Sequence, residues 1–264
     1  NELLEAMRFK EAVSAYRQGD FATLSIRTDR WAQEQAARSD TSQTKTANFM
    51  SLLNSATEIS PIREFQHTAL IHDVAISPDQ HIAVSVDEQG DVYLWDHDDA
   101  ETDGFKLGSH EEPAHAVSVS PDGLRAVTGS QTGQLAFWDL ENRKLVQKIQ
   151  PLETGVETIR YSPDGRYVAA GARYSGVWVG NSEGQKRFEV ENDHRHEALL
   201  FSPDASELLV PTRQGIDVWN IESCSRTRTL RTSPLSNVRA MCLAGRNRRW
   251  LVVGERYSET LVLL

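Results

Sequence analysis

The sequence predicts a mainly β protein, built from a repeated four-stranded unit behind a short α-helical N-terminal leader. Three observations carry that reading. The tripeptide Ser-Pro-Asp recurs at Ser77, Ser120, Ser162 and Ser202, with a degenerate fifth copy at Ala244-Gly245-Arg246. Each copy follows a short apolar run and precedes a second one. Trp95-Asp96, Trp138-Asp139 and Trp219-Asn220 then stand 17 or 18 residues after their serines. The repeat length is about 42 residues, and a period of ~40–45 with four strands per unit is the signature of a β-propeller.

Residues 1–58 form the leader. Leu3, Leu4, Met7, Val13 and Tyr16 keep a helical period that stops at Gly19-Asp20. A second amphipathic segment over 21–37 carries Leu24, Ile26 and Trp31. Residues 38–46 read as a polar linker and 47–57 as a short third helix. Ala12, Ala15, Tyr16, Gly19, Asp20 and Phe21 resemble one helical hairpin of the tetratricopeptide type.

Residues 59–264 form the propeller, with about five repeats starting near 62, 105, 145, 185 and 226. The first strands are Val74-Ala75-Ile76, Val117-Ser118-Val119, Ile159-Arg160-Tyr161, Leu199-Leu200-Phe201 and Met241-Cys242-Leu243. In the turn that follows, Pro presets φ and Asp bonds the backbone ahead, helped by Gly123 and Gly165 where φ must be positive. Second strands are expected over 82–86, 126–129, 167–170 and 208–210. Turns ending at Gly90, Gly133, Gly176 and Gly215 lead into third strands, and a more polar fourth strand, such as 145–149, closes each unit. Residues 62–65 read as a fourth-type strand lacking its first three, of the kind that closes a ring by strand exchange. The fifth unit stops inside its third strand, so the ring is expected to be incomplete: an open ring, or part of a longer chain. A seven-bladed ring needs about two more units.

These motifs resemble the WD-repeat family over roughly residues 60–264. The resemblance implies that a His after the fourth strand locks each blade through buried hydrogen bonds. His67 and His110 hold that place, whereas Leu152, Asn192 and Pro234 replace it in repeats three to five. The Asp that the family carries in the second turn is expected to be missing, with Gln89, Thr132, Tyr174 and Gln214 at its place. The implied structural set is His67, Asp79, Trp95, His110, Asp122, Trp138, Asp164, Asp204 and Trp219. Trp95 and Trp138 are expected to pack between blades, and repeats three to five to be softer than the first two. The implied function is a non-catalytic protein–protein interaction platform within a larger protein or complex. The leader also resembles the stretch before the propeller in bacterial serine/threonine kinases with C-terminal WD repeats. The alternative is therefore the regulatory or sensor region of a kinase-type signalling enzyme whose catalytic domain is not in this chain.

Charge narrows the partners. The net charge of −10 is concentrated in residues 61–130, which hold 3 Lys+Arg against 14 Asp+Glu. A nucleic-acid binder shows a basic footprint instead, so neither nucleic acid nor an anionic membrane surface is expected as a partner. No apolar run reaches the ~20 residues of a membrane span, and no secretory signal is visible. Cys224 and Cys242 match no metal spacing; Cys242 is expected to be a buried thiol, and two unpaired thiols suit a cytoplasmic setting.

No motif of an enzyme or cofactor site occurs, so no catalytic residue, cofactor or metal is expected. Asp99-x-Glu101-x-Asp103-Gly104 imitates half a calcium loop, but its twelfth position is His110, and the segment reads as a solvated acidic loop.

In a propeller of this type the innermost strand begins where the fourth-to-first and second-to-third loops emerge. Residues two places before the first apolar strand position should therefore ring the channel mouth: His72, His115, Glu157, Glu197 and Arg239. Four places before it stand Leu70, Pro113, Gly155, Arg195 and Asn237. Loop starts are commonly polar because they are wet; the sharper expectation is a recognition surface made by His72, His115, Glu157, Arg195, Glu197 and Arg239. Its two histidines would make binding sensitive to pH between about 5 and 7. A metal on His72, His115 and Glu157 is disfavoured, on the expectation that separate blades hold these side chains too far apart.

Overall fold

Each Ser-Pro-Asp segment closes on itself in the same way. The Ser77 hydroxyl donates to Asp79 Oδ1 at 2.5 Å and accepts the Ile82 amide at 3.0 Å. Ser120–Asp122, Ser162–Asp164 and Ser202–Asp204 repeat the hydroxyl bond at 2.5–2.6 Å. The serine hydrogen bond holds the Asp79 carboxyl below its ordinary range. Gly123 and Gly165 adopt φ of 74° and 73°, as expected of them. Gln80 and Ala205 take the same turn position at 65° and 59° without the freedom of glycine, a small backbone cost at each.

In the computed structural model the described residues are 67–96, 104–191, 195–230, 238–244, 250–255 and 261–263. The expected leader, the strand at 62–65 and the acidic segment 97–103 lie outside them. The chain divides into units Asn1–Glu64 and Phe65–Leu264. All regular elements among the described residues are strands.

Those strands form five antiparallel meanders. The first sheet holds β1 (Ile71–Ile76), β2 (Ile82–Asp87), β3 (Asp91–Asp96) and β4 (Phe105–Ser109). The second holds β5 (Ala114–Val119), β6 (Arg125–Ser130), β7 (Leu135–Asp139) and β8 (Lys144–Ile149). The third holds β9 (Val156–Tyr161), β10 (Tyr167–Ala172), β11 (Val177–Asn181) and β12 (Lys186–Val190). The fourth holds β13 (Leu200–Phe201), β14 (Glu207–Thr212), β15 (Gly215–Asn220) and β16 (Ser225–Leu230). The fifth has β17 (Val238–Ala244), β18 (Trp250–Glu255) and β19 (Leu261–Leu263). This is the architecture of propeller blades, and every expected first strand is present. The fourth blade's is short: only two residues pair.

The core lies between successive sheets. One cluster joins Val84, Val86 and Leu107 of the first sheet to Val117, Ala136 and Trp138 of the second. Another joins Val127, Leu135 and Phe137 to Ile159, Val168 and Trp178 of the third. Trp138 thus packs between blades as expected. Trp95 lies over Gly104 and beside Tyr93 and His67. Stacking decides burial: Val74, on the first sheet, is 49% exposed, against 3% for its counterpart Val117 and 0% for Ile159. Cys242 corrects the expectation of a buried thiol. Met241 and Leu243 turn toward the fourth-blade core, and strand alternation leaves Cys242 exposed. Both cysteines are free.

Candidate functional site

The inner strands carry an irregularity at the same place. In the first sheet Ile71 pairs with Asp87 and Asp73 with Val86, so His72 has no partner of its own. In the second, Ala114 pairs with Ser130 and Ala116 with Gly129, which isolates His115. Glu157 is the extra residue of β9 and Arg239 that of β17. A bulge adds one residue to a strand, bends it and re-aims a side chain. Four of the residues expected to ring the mouth are thus bulge residues, which pattern alone did not reveal. Glu197 precedes the short β13, and the Arg239 side chain lies outside the described set.

Carbonyls of Leu70, Pro113 and Gly155 accept the amides of Glu88, Gln131 and Arg173 at 2.8–2.9 Å. Each bond ties the approach to an inner strand to the turn after the second strand, so both loops share one side of the blade.

Side chains of neighbouring blades meet on that side. The His72 and His115 rings lie edge to face with centroids 4.5 Å apart. His72 Nδ1 donates to Ala114 O at 3.0 Å, and Asp73 Oδ2 accepts the Val117 amide at 3.0 Å, joining the first two blades. Glu157 joins the next two: Arg173 Nε donates to Oε1 at 2.5 Å and Arg195 donates to Oε2 at 2.7 Å. Arg195 Nε also lies 3.0 Å from Glu197 Oε1. Burial alone would raise the Glu157 carboxyl, but the Arg195 and Arg173 bonds override it and hold it below its ordinary range. Burial, then His72, push His115 down; Glu157 opposes and Arg173 and Arg195 reinforce the shift.

This geometry corrects the reason for disfavouring a metal. His72 and His115 are in contact rather than far apart. What removes Glu157 as a ligand is that a guanidinium occupies each of its oxygens.

Away from the rim, His67 anchors a relay in the first blade. Trp95 Nε1 donates to Ser85 Oγ at 2.6 Å, Ser85 Oγ lies 2.6 Å from His67 Nε2, and His67 Nδ1 meets Asp87 Oδ2 at 3.1 Å. The carboxylate expected to be missing is therefore present. It comes from Asp87, at the end of β2, two residues before Gln89, and the first-blade network is complete.

In the second blade Trp138 Nε1 and His110 Nε2 both reach Thr128 Oγ1, at 2.8 and 2.6 Å. Ser130 replaces Asp87 and turns its hydroxyl to its own loop. Gln134 lies beside His110 and favours its proton, but neither His110 Nδ1 nor Gln134 Oε1 makes a hydrogen bond of normal geometry. Burial, with Lys148 adding to it, lowers the His110 pKa to about 4. His110 is thus enclosed in the blade.

A tryptophan of the third strand bonded to a hydroxyl of the second, with a histidine closing the set, appears in consecutive 43-residue units. The comparisons with known proteins agree: the family model described as WD domain, G-beta repeat, matches residues 59–96 and 103–139. Those two segments are WD repeats. The chain is similar to the small ribosomal subunit protein RACK1z of Arabidopsis thaliana, 33% identical over 93 residues, covering 35% of this chain and 28% of that protein. It is also similar to the small ribosomal subunit protein RACK1 of Brassica napus, 34% identical over 85 residues, covering 32% and 26%. The matched stretch spans less than a third of either relative's length.

The later units depart from the pattern. In the third, Ala170 stands at the hydroxyl position and Gly180 at the Trp position. In the fourth, Trp219 keeps its place but Val210 replaces the hydroxyl, and Trp219 Nε1 is buried with no hydrogen-bond partner. Sequence reasoning missed Arg173, Asp73 and Trp178. Arg173 follows the end of a second strand, where only the register shows it facing Glu157. Trp178 was legible as a tryptophan in the third repeat, two residues from the expected place.

Proposed function

We propose that the chain is a non-catalytic protein-binding platform whose recognition surface is the bulge side of its blades. The observation that supports this best is the set of bulges at His72, His115, Glu157 and Arg239. A regular strand would pair these residues in register; a repeated bulge presents one polar side chain per blade to the same side. Inter-blade bonds through His72, Asp73 and Glu157 fix the spacing, so a partner meets a preorganised surface and loses less freedom on binding. A cytoplasmic setting belongs to the same proposal.

The test is capture of native partners by the wild-type chain and two triple-alanine variants. One replaces His72, Glu197 and Arg239; the other replaces Asp98, Glu101 and Asp103. Loss of the same partners with the first set alone supports the rim. Loss with the second alone overturns the reading. Because the matched relatives are named as ribosomal subunit proteins, an RNA arm is included, and RNA bound as tightly as protein contradicts the reading. Turnover abolished by a single polar substitution contradicts the non-catalytic part.

A further inference from the structure

We propose that His72, His115, Arg173 and Arg195 form a recognition site for a lone carboxylate side chain of a protein partner, flanked by neutral or basic residues. The inference rests on the rim being the binding surface. The two imidazoles are in ring contact, the two guanidiniums bond one carboxylate, Glu157, and His115 feels the charges of all three of these groups. Both Glu157 oxygens are already bound, and Glu197 faces Arg195. Asp73, the other nearby acid, is held by the amides of Val117 and Val74. The cluster is therefore rich in donors and short of acceptors, and a planar carboxylate matches guanidinium and imidazolium donors.

Proton uptake gives the site its sign. His72 Nδ1 is committed to Ala114 O, which leaves Nε2 as the ring's other polar atom. A charge on His115 is opposed by burial, His72, Arg173 and Arg195; Glu157 is the group that favours it. An arriving carboxylate supplies the missing counter-charge, so binding takes up a proton and tightens as pH falls. Glu88, Glu111, Glu112 and Glu153 are exposed in loops on the same side. They disfavour a run of acids and select a single carboxylate beside basic or neutral neighbours.

The experiment titrates two blocked peptides, Lys-Gly-Glu-Gly-Lys and Lys-Gly-Gln-Gly-Lys, into the full chain while imidazole signals are followed by NMR. The Glu peptide is expected to shift His72 and His115 saturably. It should bind about threefold or more tighter at pH 6 than at pH 7.5, under the linkage ceiling of about tenfold per pH unit for one proton. H115Q should lose that pH dependence while H81Q keeps it. Equal shifts by both peptides, no shift at either histidine, or weaker binding at lower pH overturns the inference. If H115Q does not fold, the wild-type His115 titration decides: a midpoint raised by the Glu peptide supports the site, and an unchanged one overturns it. Inert peptides together with rim variants that still lose their partner sink this inference alone and leave the platform reading standing.

Discussion

The Trp178 indole occupies the space that a side chain on Gly180 would need. A β-carbon at Gly180 would fall well inside contact distance of the Trp178 ring, and 2.6 Å from the Gln185 carbonyl oxygen. Gly180 stands where Trp138 stands one blade earlier, opposite Val168 as Trp138 is opposite Ala126. Two residues along a strand share a face, so a tryptophan moved two places still reaches the same inter-blade slot. Trp178 is 1% exposed there, packed with Leu135 and Phe137 of the preceding blade.

Gly180→Ala should therefore destabilise the chain by about 1–3 kcal/mol, the usual cost of overpacking a filled core. Chemical denaturation measures it. An unchanged midpoint would show that the ring can move aside.

The hydroxyl position of the relay predicts two opposite effects. Ser85→Ala strips His67 and Trp95 of their shared partner and should cost about 1–3 kcal/mol. Val210→Thr gives the buried Trp219 Nε1 an acceptor at nearly constant volume and should gain about 1 kcal/mol. Melting curves of both variants test the pair; a Thr variant less stable than wild type would contradict the assignment of Val210.

Acid should weaken the second blade. On folding, the His110 pKa falls from its ordinary 6.5 to about 4. The unfolded chain therefore binds more protons between those values. Stability from this group is complete above about pH 6.5 and is lost as pH falls toward 4, by about 3 kcal/mol in all. Denaturation of H110Q, which cannot titrate, should be flatter than wild type across that window. Parallel curves would remove His110 as the cause.

Local opening should follow the completeness of the relay. The first blade has hydroxyl, imidazole and carboxylate, whereas the fourth has a tryptophan with neither hydroxyl nor histidine. Amides of β14 and β15 should exchange faster than those of β2 and β3 in native-state hydrogen exchange. Equal protection in the two blades would show that packing, not the relay, sets their stability.

What the sequence by itself determined is the blade. Period, turn chemistry and strand alternation are local, and each Ser-Pro-Asp closes with bonds inside five residues, so strands and turns fall where the pattern puts them. That His72, His115 and Glu157 hold matching positions on successive inner strands was legible for the same reason. Tertiary structure decided what depends on neighbours. The bulges arise from register between two strands, and the Glu157–Arg195 and His72–Ala114 bonds cross from blade to blade. Asp87 supplies the carboxylate that was expected to be missing at Gln89, because hydrogen bonding needs an oxygen in one place, not a residue at one number. Cys242 lost its expected burial because alternation says which residues share a face, while stacking says which face is covered. Trp178 fills the slot over Gly180 because a packed core selects for volume in space, and two positions on one strand can deliver it.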